Sequence, residues 1–374
     1  MIGRAPGWLY LFACVSAFTY QTLDCIDGKH QFRTGCNNDV AEIFDHGFDA
    51  VSNSLLAVEM ACMLQIGSHP NLVLVFELAT VVLFYETQWL NYITGYMNFG
   101  KIDVTEGLLM YCGMFLLTSV YGPRLWMTQL IHCVKPQTQR GKLPPKDLIR
   151  IWHVSHLPRF FTFPFHQAPL IGVELRYLIL GFGVITFLSC TVSTLHEIYT
   201  AQQPTSKATK TGPIVADSRK LPPIYPMVAL VGLTVLLWVS PGSDSINQQP
   251  CVFMLIIGTA AAKIATKIIT MHIVKAEMTI TNSAYLGLLV LLVNSVLGSP
   301  LDTLVLCPIV LVVSFLDYMR YFCLVAWQVA EENGVYILTS PDKKTLWANG
   351  MAVEGALGNG VVENDCHGNS SNHH

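Results

Sequence analysis

Charged side chains are scarce in this chain: Asp, Glu, Lys and Arg together make 13% of its 374 residues, against 52% hydrophobic ones. Soluble domains carry roughly 25% charged residues. A water-soluble globule of this composition would leave broad apolar patches facing solvent, which soluble monomers avoid. A soluble enzyme is therefore excluded first. Basic excess is missing too, with 22 Lys and Arg against 25 Asp and Glu and a formal net charge of -3, so nothing points to a nucleic-acid partner. The eleven cysteines form no CxxC pair or framework spacing. Residues such as Cys112, Cys190 and Cys307 sit singly inside apolar runs and read as small hydrophobes, not as disulfides or zinc ligands. No internal repeat is visible.

What the chain has instead is a series of apolar runs, and its mean hydropathy is +0.45. A bilayer core takes about 20 apolar residues per helix. Nine runs of roughly that size are found, at 7–23, 48–67, 71–95, 107–122, 168–196, 224–240, 250–274, 284–299 and 301–328. They predict an all-α, polytopic transmembrane bundle of about nine spans. No small-residue cleavage site follows the first run, which passes straight into Asp24 and Asp27, so it reads as a structural helix and not a signal peptide. Residues 1–350 are expected to form one membrane domain. It holds a basic, Pro-broken loop over about 123–166 and a Pro/Lys/Thr-rich loop near 201–222; a polar tail follows over 351–374.

Acids stand where a membrane disfavours them. Asp24 and Asp27 follow the first span, three positions apart on one helical face. Glu42, Asp45, His46 and Asp49 fall at i, i+3, i+4 and i+7 of the next helix, again on one face. Each Asp at a helix centre costs about 2.5 to 3.5 kcal/mol on insertion scales, so four left bare would cost about 10 kcal/mol. Side by side, the two helices would gather four carboxylates, Asp24, Asp27, Asp45 and Asp49, with no neutralising lysine among them. Divalent cations would relieve that repulsion, and an oxygen-only donor set favours a hard ion: Mg²⁺ or Mn²⁺, as a pair. A two-metal clamp stabilises charge on a transferring phosphoryl group. Gly28 leaves room for a ligand to approach, while Lys29 and Arg33 supply positive charge for phosphates. The competing reading is a solvated acidic edge at the helix ends.

At these residues the sequence resembles the CDP-alcohol phosphotransferase family, whose signature runs D-x-x-D-G-x-x-A-R, eight residues, G, three residues, D, three residues, D. Asp24, Asp27, Gly28, Asp45 and Asp49 occupy their places at the right spacing. The segments 20–24, 33–34, 42–47 and 99–106 resemble the eukaryotic choline/ethanolamine phosphotransferases, and weaker similarity runs on through Lys263, Lys267, His272 and Glu277. The resemblance implies transfer of phosphocholine or phosphoethanolamine from CDP-choline or CDP-ethanolamine to diacylglycerol, with release of CMP. It implies a multi-pass protein of the endoplasmic reticulum or Golgi membrane, with its acids facing the cytosol and membrane lipids around it. Monomer and homodimer stay open. The signature acids would bind the metals, and Asp49, His46 or Glu42 would take the proton of the lipid hydroxyl.

The chain departs from the family pattern in three places. Gln31 and Phe32 replace the signature Ala and Arg, with Arg33 directly after, and Ala41 replaces the second Gly. The chain's start aligns within what resembles the family's second membrane helix, giving nine expected spans where the branch has ten. These departures favour, as the alternative, a weak or inactive relative that binds lipid or a partner. A cation transporter is a further reading, disfavoured by the lack of repeated halves.

Other polar residues in apolar surroundings divide between two readings each. Lys101, with Asp103 and Glu106, would border the nucleotide, or cap a connecting turn. Lys263 and Lys267 would line the headgroup chamber, or snorkel to an interface. Trp89, Tyr92 and Tyr96 would box a quaternary ammonium or form an interfacial belt. Glu77 and Glu86 would face a lipid-access cavity, or reflect drift.

Overall fold

The computed structural model describes residues 5–34, 39–96, 104–129, 173–201, 223–242, 248–279, 282–335 and 337. Among them run nine α-helices: α1 (Gly7–Thr34), α2 (Asp39–Met63), α3 (Pro70–Thr94), α4 (Val104–Tyr121), α5 (Leu175–Ala201), α6 (Ile224–Trp238), α7 (Pro250–Ile273), α8 (Leu286–Val296) and α9 (Thr303–Asn333). No strand occurs among the described residues beyond one isolated antiparallel bridge between Gln129 and Glu174. The protein is thus an all-α, multi-pass membrane bundle. By length and apolarity, α1, α3, α4, α5, α7 and α9 suffice to cross a bilayer, while α6 and α8 are shorter apolar helices. The expected span at 48–67 falls on α2, which starts at Asp39, carries its acids inside the helix and is not among the helices that meet that measure.

Local chemistry sets the helix ends. Pro70 occupies the first turn of α3, where its missing N–H costs nothing, and Gly95 closes the helix in the left-handed region at φ 75°. Asp302 caps α9 by accepting a hydrogen bond from the Leu304 amide at 2.9 Å. Pro308 lies inside α9, whose far end stops at Gly334 with φ 63°. Outward faces are apolar. Leu178, Phe182, Ile185, Leu188 and Val192 on α5 are all exposed, as are Val305, Ile309, Val312, Val313 and Leu316 on α9. Such faces suit hydrocarbon.

The chain divides into two compact units. The first takes residues 1–18, 54–216 and 244–255; the second takes 19–53, 217–243 and 256–374. In the first, Tyr111 stacks on Phe115 with ring centroids 4.3 Å apart, in a core with Met63, Leu64, Ile66 and Met114. Buried Arg176 there pairs with Glu174 at 2.6 Å and donates to the Gln65 carbonyl at 2.9 Å.

In the second unit, α2 and α9 approach closely at Gly47. A Cβ built there would lie 2.4 Å from Cε2 of Phe322. Phe44 and Phe48 meet the Phe322 ring edge-on at 5.1 and 5.6 Å. Tyr318 donates its hydroxyl to the Gly47 carbonyl at 2.9 Å. The residues flanking Gly47 in this half of α2 are those the sequence marks as chemical, so this contact fixes their height and rotation. Gly47→Ala is therefore expected to lose about 1 to 3 kcal/mol through overpacking, read as a lower midpoint of thermal unfolding in detergent. An unchanged midpoint would show that Phe322 yields freely.

Candidate metal centre

Helix α1 runs unbroken from its apolar start through Asp24 and Asp27, so both carboxylates share one face as the spacing predicts. On α2, Asp45, His46 and Asp49 occupy adjoining positions over one turn. All of these lie in the second unit. Their side chains converge into two groups of possible ligands. Asp24, Asp27 and Asp45 form one; Asp45, His46 and Asp49 form the other, and within each group the ligand atoms lie within 4.8 Å of one another. Asp45 belongs to both groups. Each of these side chains is half-buried.

The contacts within the cluster are specific. His46 Nδ1 lies 3.8 Å from Asp45 Oδ2 and 3.7 Å from Asp49 Oδ2. Tyr20, one turn before Asp24 on α1, donates its hydroxyl to Asp49 Oδ1. Gly28 faces open space, with nothing within 4 Å of a Cβ built on it. Lys29 and Arg33 are exposed beyond it on the last turns of α1. Glu42 lies half-buried one turn before Asp45 and belongs to neither group of three. Gln31 lies on α1. Lys101 and Asp103 lie outside the described residues, as do most of the basic loop and the polar tail, and so does the side chain of Phe32.

Two sequence expectations need correction. Trp89 and Tyr92 are 6% and 3% exposed, enclosed by protein, so they do not face lipid as an aromatic belt would; Tyr96 is exposed. Glu77 is wholly buried, which excludes it from the wall of an open lipid-access cavity, and Glu86 is 7% exposed. Tyr20 and Gly47, conversely, carry roles that the acid pattern did not reveal. The signal for Tyr20 was its i, i+4 relation to Asp24, which puts both on one face.

The donor set suits a hard divalent cation: carboxylate oxygens predominate and one imidazole joins them. Four carboxylates in such proximity repel unless a cation or protons intervene. Phosphate-bearing ligands would find the open side at Gly28, between the acids and the cations at Lys29 and Arg33.

No family model matches the chain. Individual relatives do. It is 28% identical over 337 residues to cholinephosphotransferase 1 of Danio rerio, covering 90% of this chain and 77% of that protein. With cholinephosphotransferase 1 of Homo sapiens the identity is 25% over 328 residues, 87% of this chain and 70% of the relative. A CDP-alcohol phosphatidyltransferase class-I family protein of Schizosaccharomyces pombe, itself uncharacterized, is 33% identical over 124 residues, 33% of this chain and 31% of its own length. These likenesses are to cholinephosphotransferases and to a CDP-alcohol phosphatidyltransferase class-I family protein.

If Asp49 is a ligand, Tyr20 is the group that orients it. Partners of this outer kind are typically worth 10- to 100-fold in metal affinity. Tyr20→Phe is therefore expected to weaken Mn²⁺ binding roughly tenfold in calorimetry. Asp49→Asn should weaken it further, and equal affinity in all three proteins would remove Asp49 from the centre.

Proposed function

We propose that the protein transfers the phosphoalcohol of a CDP-alcohol, phosphocholine or phosphoethanolamine, to the free hydroxyl of diacylglycerol, releasing CMP and forming phosphatidylcholine or phosphatidylethanolamine. The observation that carries this reading is the pair of ligand groups sharing Asp45, at the residues matching the family signature. Similarity to cholinephosphotransferases over most of the chain supports the choline substrate.

In this reading Asp24, Asp27, Asp45 and Asp49 hold two Mg²⁺ or Mn²⁺ ions. Held by these residues, such ions would supply positive charge to offset that of the diphosphate. Gly28 gives the diphosphate room, while Lys29, Arg33 and Lys101 draw its oxygens. The lipid oxygen attacks the phosphorus that carries the alcohol, and the bond from that phosphorus to the bridging oxygen breaks, so CMP leaves with that oxygen. The hydroxyl proton passes to the His46–Asp49 pair, whose atoms lie 3.7 Å apart and whose Asp49 is held by Tyr20. Glu42, one turn before His46 on α2, is the alternative acceptor of that proton. Diacylglycerol arrives sideways from the bilayer, and the nucleotide arrives from the cytosol at an endoplasmic reticulum or Golgi membrane.

Two experiments test this. Purified protein in diacylglycerol mixed micelles with Mg²⁺ is given labelled CDP-choline or CDP-ethanolamine. Wild type should form phospholipid, and Asp45→Ala, which removes a donor from both groups, should lower the rate on the order of 100-fold or more. Nucleotide binding without turnover in wild type would replace the enzyme by a non-catalytic relative, and metal-driven flux into vesicles would replace it by a transporter.

The second experiment restores the guanidinium that the family signature carries at position 32. Phe32→Arg is expected to raise turnover about tenfold, the effect of one charge-assisted hydrogen bond made in the transition state. A folded variant with an unchanged or lower rate would show that Arg33 already fills that role.

A further inference from the structure

Two cysteines that stand singly in the sequence meet in the fold. Cys62 is the last residue but one of α2, Cys251 is the second residue of α7, 189 positions further on, and their Sγ atoms lie 3.6 Å apart. Both belong to the first unit. A disulfide needs its sulfurs about 2.05 Å apart, so a small rotation about one Cα–Cβ bond separates this contact from a bond. Cys62 is exposed, which leaves its side chain room for that rotation, and Cys251 is half-buried. Polar residues flank both positions: Gln65, Ser68 and His69 follow α2, while Gln248 and Gln249 lead into α7. A spanning helix that starts in this way has its first residues at the edge of the bilayer, within reach of a water-soluble reagent.

Another cysteine contact in the same unit differs in kind. Cys14 of α1 donates its thiol to the Cys112 carbonyl at 3.2 Å, and Cys112 of α4 donates back to the Cys14 carbonyl at 3.7 Å. Those sulfurs are turned to backbone, and Cys112 is buried. Cys62 and Cys251 are instead turned to each other, with the thiol of one donating to the sulfur of the other. We propose that Cys62 and Cys251 are a redox-active pair that closes into a disulfide, with a low-molecular-weight disulfide of the glutathione type as oxidant. One cysteine thiolate attacks a sulfur of oxidised glutathione, breaking its S–S bond and releasing one glutathione thiolate. The other cysteine thiolate then attacks the protein sulfur of the mixed disulfide and releases the second glutathione. The two thiol protons pass to the departing thiolates, so the pair loses two electrons and the oxidant becomes two thiols. The bond ties the end of α2 to the first turn of α7. This pair shares no residue with the acid cluster, and the inference holds or fails independently of the phosphotransfer reading.

The test uses the full chain in neutral detergent with EDTA, which suppresses metal-catalysed thiol oxidation. The reduced protein is incubated with oxidised glutathione, and its cysteines are assigned by peptide mapping and mass spectrometry. In wild type the peptides holding Cys62 and Cys251 should be found joined in most molecules, and dithiothreitol should part them again. Cys251→Ser should hold glutathione on Cys62 as a lasting mixed disulfide, because no second thiol resolves it. Cys323→Ser, which alters an exposed cysteine of α9, should form the same bridge as wild type. Closing so long a loop confines the unfolded chain, so the bridged protein should unfold on the order of 5 °C higher than the reduced one. A lasting glutathione adduct on Cys62 of wild type, a bridge from either cysteine to a different one, or no reaction at either would overturn the pair. A bridge that lowered the unfolding midpoint would overturn the claim that the fold presents the two thiols ready to close.

Discussion

Repulsion among carboxylates is the constraint on which this architecture turns. Asp24, Asp27, Asp45 and Asp49 stand on two helices that are otherwise largely apolar; the ligand atoms of Asp24, Asp27 and Asp45 fall within 4.8 Å of one another, as do those of Asp45, His46 and Asp49. Neither water nor lipid makes such a gathering stable by itself; it persists when cations or protons share it. The remaining contacts of this unit oppose the tendency of the helices to rotate the acids apart. Tyr20 ties α1 to Asp49 of α2, and Gly47 lets α9 press against the opposite side of α2. Removing the methyl group at position 47 is thus an electrostatic device as much as a packing one, since it lets Phe44, Phe48 and Phe322 hold the helix that carries three of the ligands.

Much of this was legible from residue spacing. Each apolar run overlaps a helix among the described residues, because hydrocarbon demands internally satisfied backbone, and six of those helices are long and apolar enough to cross a bilayer. The runs beginning at 224 and 250 match α6 and α7 to within two residues at either end. Spacing also put Asp24 with Asp27 and Asp45 with Asp49 on common faces, since helical periodicity is local. It could not bring the two faces together, which depends on contacts distant in sequence such as Tyr318 with Gly47. The apolar run begins only at 48 because hydropathy penalises the acids before it, whereas the helix on which the spacing of Glu42 to Asp49 places them starts at Asp39. The burial of Trp89, Tyr92 and Glu77 was hidden for a related reason: amphipathic and charged residues in an apolar run look alike whether they face lipid or protein.

The basic side of the second unit was half legible. Lys263 and Lys267 are conspicuous in an apolar helix, and their spacing of four puts them on one face. Snorkelling accounted for them equally well until their partners were located. Lys263 does not reach toward an interface; it is buried against Asp317 and Ser283. Asp317 and Arg320 stand three apart in the last apolar run, but a pair so spaced reads as self-compensating, which conceals that Asp317 is already taken by another helix.

Helix α9 makes the two halves of the picture one argument. Tyr318 and Phe322, four apart, turn toward α2 and support the ligand-bearing helix; Asp317, Arg320, Tyr321 and Leu324 turn to a cavity with Lys263 and Lys267. The two stripes are turned about 100° apart, so one face of a single helix supports the ligand-bearing helix while another holds the Lys263–Asp317 pair.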